Sequence, residues 1–149
     1  MEQLKRTTST DSNFKSMVTL LDADLAERDG DDNAFYAQFN GIVHLKYCVV
    51  YYIDNLPVGC GAFKPFNETT IEVKRMFILP SHRGKSIASK VLNELELWAK
   101  ELNYYSSVLE TGLRQPEAIA LYKKNGYTII PNYPPYEKME NSVCFNKLL

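Results

Sequence analysis

The stretch from Leu79 to Lys90, LPSHRGKSIASK, places a basic turn and small side chains where a helix begins. The first turn of a helix exposes about four amides without intrahelical partners, and the helix dipole adds roughly half a positive charge there. Phosphate groups bind well at such an end. Gly84 allows backbone angles closed to other residues, and Arg83 and Lys85 supply cationic groups. Two interpretations stay open: a pyrophosphate site for a nucleotide-like cofactor, or a solvated basic loop with ordinary capping.

The elements on either side of this turn must position it. An apolar, β-branched run at 69–79 predicts a strand before it, and a helical period at 84–102 follows. A short strand is predicted next, at 105–110. A strand–helix–strand step of this kind predicts a right-handed crossover between parallel neighbours. The apolar stripe of the helix consists of Ile87, Val91, Leu95, Trp98 and Leu102.

The rest of the chain alternates helix and strand patterns, with a hairpin signal at Asp54-Asn55 between two β-rich runs. These runs and strand 69–79 predict three consecutive antiparallel strands. The sequence therefore predicts an α/β (α+β) fold, a mixed sheet with helices on both faces. The other predicted elements are a strand at 2–8, helices at 11–30, 31–41 and 114–126, and strands at 127–130 and 142–148.

Length and composition limit the classes of function. The chain has 149 residues, which predicts one domain over 1–149, and a net charge of −1 without blocks of like charge. We therefore expect no nucleic-acid or membrane partner. No apolar run reaches the roughly 18–20 residues that cross a bilayer, and no signal core is visible, which predicts a cytoplasmic protein. Cys48, Cys60 and Cys144 match no metal pattern, so we expect reduced, mostly buried thiols and no metal.

Two motifs carry a family resemblance. VKRMFILPSHRGKSIASKVL resembles the central motif of the GNAT superfamily of N-acetyltransferases, whose signature Q/R-x-x-G-x-G/A falls on Arg83, Ser86 and Ala88. Ser86 stands where the signature has glycine. QPEAIALYKKNGY resembles the second family motif, with Gln115 in place of the usual asparagine. From about Gly59 to the C-terminus, the chain is similar to small, stand-alone bacterial members.

The resemblance implies a fold and a cosubstrate. The fold is a GNAT-like, mixed, mostly antiparallel, twisted sheet of 6–7 strands, and the cosubstrate is acetyl-CoA. The end of strand 69–79 is expected to pair with the pantetheine arm through Phe77 and Ile78, with the Met76 amide near the oxyanion. Gln115 is expected to help hold the cofactor. The implied pyrophosphate cradle consists of Arg83, Gly84, Lys85, Ser86, Ile87 and Ala88.

The resemblance also implies direct attack by the acceptor amine within a ternary complex. Tyr122 matches the family tyrosine that protonates the departing thiolate, and a phenol with a pKa near 10 can donate a proton at neutral pH. The alternative is a tyrosine with a packing role only. Glu72 and Glu110 are both candidates for the base, directly or through a water, and of the two we favour Glu72. Each could instead be a solvated or salt-bridged carboxylate.

The acceptor is the least defined part of the prediction. We expect a primary amine of a small molecule, and the resemblance implies that aromatic residues of the first two helices and the loop before the last strand bind it. The same aromatic residues could instead be ordinary core and surface residues. Two alternatives stay open, a protein lysine or N-terminal amine, and a non-catalytic acyl-CoA-binding module. Arg114 could bind an acceptor carboxylate or be a solvated loop residue. The last strand, 142–148, could pair across a homodimer or close its own sheet. The aromatic residues are Phe35, Tyr36, Phe39, Tyr133 and Tyr136.

Overall fold

The computed structural model of the chain describes residues 1–37 and 45–149. Within them, seven strands form one sheet. The elements in chain order are β1 Glu2–Thr7, α1 Ser12–Asp29, α2 Asn33–Ala37, β2 Tyr47–Ile53, β3 Leu56–Pro65, β4 Thr70–Ile78, α3 Ile87–Glu101, β5 Ser106–Gly112, α4 Pro116–Lys124, β6 Thr128–Ile130 and β7 Ser142–Leu148. The strands lie in the order β1-β2-β3-β4-β5-β7-β6, and only β4 and β5 pair in parallel. This is the mixed, mostly antiparallel sheet predicted from the sequence.

Helices cover both faces of this sheet, and alternate residues of β2 show it. Val49 and Tyr51 belong to the core beneath α3, whereas Cys48, Val50 and Tyr52 pack with α1. Because successive side chains of a strand point to opposite faces, a strand buried on both sides is a continuous apolar run. The run YCVVYYI in the sequence is therefore explained by helices on both of its sides.

The predicted hairpin forms at Asp54 and Asn55, which both have positive φ angles, 49° and 68°. Left-handed angles at the two central residues match the right-handed twist of the flanking strands. β2 and β3 are consequently antiparallel, and β3 and β4 continue the pattern. The three consecutive antiparallel strands predicted from the sequence are confirmed.

The step from β4 through α3 to β5 confirms the predicted parallel neighbours. α3 begins at Ile87 rather than at residue 84, because a 3-10 turn at Pro80–His82 and an irregular turn precede it. Leu102, predicted as the last apolar residue of the stripe, lies beyond the helix and is 39% exposed. Val91 and Leu95 are fully buried, and burial of each such side chain stabilises the fold by about 2 kcal/mol.

The C-terminal strand closes its own sheet, because β7 has β5 on one side and β6 on the other. The three cysteines are buried and form no disulfide, as expected. The predicted helix at 31–41 is a 3-10 turn at Gly30–Asp32 followed by α2, and residues 38–41 lie outside the described residues. In the part of the chain that the structure describes, every helix is too short or too polar to cross a membrane.

Candidate active site

The sheet opens between its two parallel strands. β4 and β5 pair only near their first residues, from Thr70 opposite Ser106 to Glu72 opposite Val108. Past Glu72 the strands separate beside a cleft of about 440 Å³, lined also by α1, the start of α3 and α4. The cleft brings together all the predicted catalytic and cofactor residues except Lys85, which is exposed outside it. They are Glu72, Met76, Phe77, Ile78, Arg83, Gly84, Ser86, Ile87, Ala88, Gln115 and Tyr122, with Glu110 beside them.

Two left-handed residues shape the turn at the start of α3. Gly84 has a φ of 79° and Ser86 a φ of 64°. The amide of Lys90 is bonded to the carbonyl of Ser86 at 3.2 Å, so the amides of residues 87–89 precede the first regular helical bond. Ser86 makes no side-chain capping bond to them. This end of α3 faces the cleft with amide donors and a positive dipole, which suits an anion.

Cationic side chains lie around this helix end. Arg83 donates from Nε to the Ile78 carbonyl at 3.0 Å, and its guanidinium lies 5.7 Å from the centroid of the Phe77 ring. His82 lines the cleft beside it, and Lys124 lines it from the end of α4. The sequence does not indicate Lys124, because it lies at the end of α4, more than thirty residues from the turn before α3. The same end of the cleft therefore has both backbone donors and cationic side chains.

A bulge in β4 sets which side chains face which helix. The register with β3 shifts between Cys60 and Ala62, and Arg75 opposite this shift has a φ of 59°. Its guanidinium ion-pairs with Asp22 of α1, on one side of the sheet. Met76 packs in the core beneath α3, on the other side. The bulge therefore reverses the alternation of side chains along β4, so that Arg75 and Phe77 face α1 whereas Met76 and Ile78 face α3.

Tyr122 lies on α4 and is 5% exposed at the cleft. Its ring is held by Tyr127 and Phe145, with centroids 5.8 and 5.9 Å away. In the part of the chain that the structure describes, its hydroxyl has no hydrogen-bond partner. Burial raises the pKa of Tyr122, and the charge of Glu110 raises it further, so the phenol stays protonated at neutral pH. The side chain thus presents an uncommitted proton donor to the cleft.

Glu110 is the titratable carboxylate of the cleft. The hydroxyl of Ser142 donates to its Oε2 at 2.7 Å, and the hydroxyl of Tyr36 lies 2.7 Å from the same serine oxygen. Burial raises the pKa of Glu110 to about 7, although the bond from Ser142 and the charge of Lys74 oppose the rise. A carboxylate with a pKa near the ambient pH can accept a proton and release it again.

Glu72 has more partners than Glu110. Tyr133 donates to its Oε2 at 2.8 Å, and the ammonium groups of Lys64 and Lys74 each lie 3.8 Å from a carboxylate oxygen. The residue is 5% exposed. Lys74 itself is part-buried and donates to the hydroxyl of Tyr136 at 3.3 Å, and burial lowers its pKa. Glu72 is therefore a carboxylate at the base of the cleft that accepts a hydrogen bond and has its negative charge balanced by nearby lysines.

The predicted aromatic residues form one cluster beside these carboxylates. Tyr36 and Tyr136 are buried together with Cys144, and Phe35 and Tyr133 pack against them. Of this cluster, only Tyr36 lines the cleft directly. Phe39, also predicted for the acceptor pocket, lies outside the described residues.

The start of α4 brings Gln115 to the cleft, but not Arg114. Gln115 precedes the helix and makes no side-chain capping bond. The Nη1 of Arg114 instead donates to two backbone carbonyls at the end of α1, 2.6 Å to Asp29 and 3.3 Å to Arg28. Arg114 is exposed in the turn before α4 and ties this turn to the end of α1; its binding of an acceptor carboxylate stays a prediction.

Besides Lys124, three polar residues of the site were not predicted from the sequence. A signal existed for Lys74, because it lies two residues after Glu72 and so shares a strand face with it. Ser142 reaches Glu110 only through the pairing of β5 with β7. Asp29 lines the cleft from the last turn of α1, where the sequence pattern predicted only the end of a helix.

Comparison with known proteins shows what the chain resembles. The sequence model described as acetyltransferase (GNAT) family matches residues 14–127. An "IAA acetyltransferase" of Azospirillum brasilense is 40% identical over 80 residues, which are 53% of this chain and 52% of that protein. The chain thus matches only about half the length of this curated relative.

Two solved structures share the fold across the chain. One is a Klebsiella pneumoniae protein assigned as an acyl-CoA N-acyltransferase, with a TM-score of 0.83 and 30% identity over 100% of this chain and 98% of that one. The other is a GNAT family acetyltransferase of Elizabethkingia anophelis with acetyl-CoA bound. It has a TM-score of 0.69 and 18% identity over 99% of this chain and 98% of that one, a likeness of fold alone.

Proposed function

Because the chain belongs to the acetyltransferase (GNAT) family, we propose that it transfers the acetyl group of acetyl-CoA to a primary amine of a small molecule. The observation that carries the proposal is the uncommitted hydroxyl of Tyr122, presented to a cleft between two parting parallel strands. A packing role alone would not require this hydroxyl to face the cleft. A structural neighbour with acetyl-CoA bound supports the choice of cosubstrate.

The chain has groups suited to both ends of acetyl-CoA. The amides of residues 87–89 and the side chains of Arg83 and Lys124 would hold the pyrophosphate. The backbone of 76–78 would pair with the pantetheine amides, and the Met76 amide would stabilise the oxyanion. The cosubstrate supplies the thioester carbonyl that the amine attacks. Gln115 lines the same cleft and would add a polar contact.

We assign the proton transfers to Glu110 and Tyr122. Glu110 accepts the proton that the attacking amine loses, because its pKa of about 7 suits a base near neutral pH. Tyr122 gives its proton to the sulfur that leaves as thiolate. Glu72 remains the alternative base, but Tyr133 and two lysines already compensate its carboxylate. We propose that Glu72 orients Tyr133 and Lys74 at the acceptor end.

The test is release of free CoA thiol from acetyl-CoA in the presence of a panel of small amines and lysine peptides. We expect amine-dependent release that falls at least about 100-fold in Tyr122→Phe, the lower range for a lost general acid. Tyr104→Phe is the matched control, since Tyr104 packs against the same core outside the cleft. Calorimetry measures acetyl-CoA binding separately.

Each outcome of this experiment has a distinct meaning. Unchanged turnover in Tyr122→Phe would remove the general-acid assignment. Binding of acetyl-CoA without release on any amine would favour the non-catalytic module. Release with lysine peptides alone would move the acceptor to proteins. A protein that binds no acetyl-CoA would contradict the pyrophosphate site at the start of α3.

A further inference from the structure

A buried acidic side chain lies in the cleft and has no partner among the described residues. Asp29, the last residue of α1, is 4% exposed and lines the cleft. In residues 1–37 and 45–149, its carboxylate accepts no hydrogen bond and forms no ion pair. Burying a carboxylate is unfavourable in free energy unless the carboxylate is paired or neutralised, so a cationic ligand beside Asp29 would be stabilised.

The nearest arginines are already engaged. Arg28 forms ion pairs with Asp24 and Glu117. Arg114 donates to backbone carbonyls, the Asp29 carbonyl at 2.6 Å among them, and not to the Asp29 carboxylate. The carbonyls at the end of α1 add the negative end of its dipole.

The direction of the pKa shift of Asp29 agrees with a site for a cationic group. Burial raises the pKa of Asp29, Arg114 opposes the rise, and the acidic neighbours Asp32 and Asp24 add to it. A carboxylate in this state gains from a cation that replaces the solvation lost on burial. The shift is a consequence of the geometry described above.

Asp29 and Glu110 belong to one acceptor region. Both line the cleft, as does Tyr36. The charge of Asp29 is among those that raise the pKa of Glu110. The pKa of Tyr36 is raised mainly by burial, and the charges of Glu110 and Asp29 raise it further. An acceptor whose amine reaches Glu110 therefore has a second carboxylate available.

We propose that Asp29 binds a second cationic group of the acceptor, so that the preferred acceptors are α,ω-diamines or other amines with a second positive charge. This inference rests on the proposed function, because it takes the amine at Glu110 as the reacting one. A monoamine leaves Asp29 buried without a counter-ion. A diamine places an ammonium group against it and gains one charge-assisted contact.

The experiment is calorimetric titration of the CoA-saturated protein with linear diamines of three to six carbons, each compared with the monoamine of equal length. We expect the best diamine to bind about tenfold more tightly than its monoamine, equivalent to about 1.4 kcal/mol. Asp29→Asn should abolish this advantage, so that each diamine binds no more tightly than its monoamine. Asp31→Asn removes the same charge two residues away, at an exposed position outside the cleft, and should keep it.

Equal affinities for every diamine and its monoamine overturn the inference, as does an advantage that persists in Asp29→Asn. The absence of measurable diamine binding also overturns it. Asp29→Ser provides a second variant if the asparagine protein does not fold. Parallel CoA-release assays separate the two proposals. Equal turnover of monoamines and diamines removes the diamine inference alone, whereas Asp29-dependent diamine binding without any turnover removes the proposed reaction and keeps the site.

Discussion

Single side chains decide which of two glutamates can act as the base. Glu72 accepts a hydrogen bond from Tyr133, 61 residues away in the chain, and Glu110 accepts one from Ser142, 32 residues away. Lys64 and Lys74 compensate Glu72, whereas Lys74 is the one lysine that lowers the pKa of Glu110. Burial therefore dominates at Glu110 and raises its pKa to about 7.

The bond from Ser142 gives a test at this scale. Ser142→Ala removes a hydrogen bond that lowers the pKa of Glu110, so the pKa should rise further. One bond to a charged group corresponds to a shift of about one unit. In kcat/KM against pH, the rising limb should therefore move about one unit to higher pH. Tyr36 lies beyond Ser142 and is left intact.

Tyr133→Phe is the matched comparison, because it removes the equivalent bond from Glu72. If Glu110 is the base, the rising limb stays in place in this variant, whatever happens to its height. A limb that moves in Tyr133→Phe and not in Ser142→Ala identifies Glu72 as the base instead. Among the described residues, the other charged or titratable groups that interact electrostatically with Glu110 include Lys74, Glu72, Asp29, Tyr36, Tyr122, Tyr136 and Cys144.

Both glutamates could be named from the sequence, but the choice between them could not. Position on a strand near the predicted cofactor was enough to name Glu72 and Glu110. Their hydrogen-bond partners come from a loop and a strand distant in the chain, which no local pattern indicates. The same holds for Asp29, whose burial depends on how α1 ends against α4.

At the scale of elements, the start of α3 has one of the two non-glycine residues with positive φ in the described cleft lining, and the other is Arg75 of β4. Ser86 takes a left-handed conformation with a φ of 64°, where the family signature has glycine. A left-handed conformation costs an L-residue about 1–2 kcal/mol, a cost that glycine avoids. The conformation itself is required, because it turns the chain into α3 directly after Gly84, whose φ is 79°.

Ser86→Gly should therefore raise the free energy of unfolding by about 1 kcal/mol, less any loss from the freer unfolded chain. Acetyl-CoA affinity should stay the same or rise, because the amides are unchanged. Urea unfolding and calorimetry measure the two quantities. Lys85→Gly is the control, since Lys85 has no positive φ and glycine there should only destabilise. A weaker affinity in Ser86→Gly would instead show that the serine hydroxyl contacts the cofactor.

The elements with strong periodicity followed from sequence, and the irregular ones did not. The apolar stripe of α3 and the Asp54-Asn55 turn are local signals, and both are confirmed apart from Leu102 at the end of the stripe. The bulge at Arg75 is different, because it depends on the register between β3 and β4. A regular strand would have placed Glu72, Lys74 and Met76 on one face, whereas the bulge turns Met76 towards α3.

At the scale of the whole molecule, the cleft interrupts a core that covers both faces of the sheet. The cores beneath α3 and α1 meet at β4, where the strands part. Polar groups of the site are therefore buried at the centre of the fold, where they act against stability. Strain and buried charge at functional sites are a common cost of activity.

Glu110→Gln tests whether the Glu110 carboxylate lowers the stability of the folded protein. The native pKa of about 7 exceeds the ordinary value near 4.3, so the folded protein keeps a proton that the unfolded chain loses between these pH values. Stability should therefore fall as pH rises through this window and then level off. Glutamine stays neutral, so between pH 5 and pH 8 the stability of the variant should gain about 2–3 kcal/mol relative to the parent.

Urea unfolding of both proteins at several pH values measures this difference, and Glu137→Gln controls for the loss of one exposed negative charge. A constant difference between Glu110→Gln and the parent across the window would contradict the raised pKa. The same variant should lose amine-dependent CoA release, because its side chain cannot accept a proton. A protein that becomes more stable above pH 7 and less active through one substitution would locate the cost of catalysis in a single part-buried carboxylate.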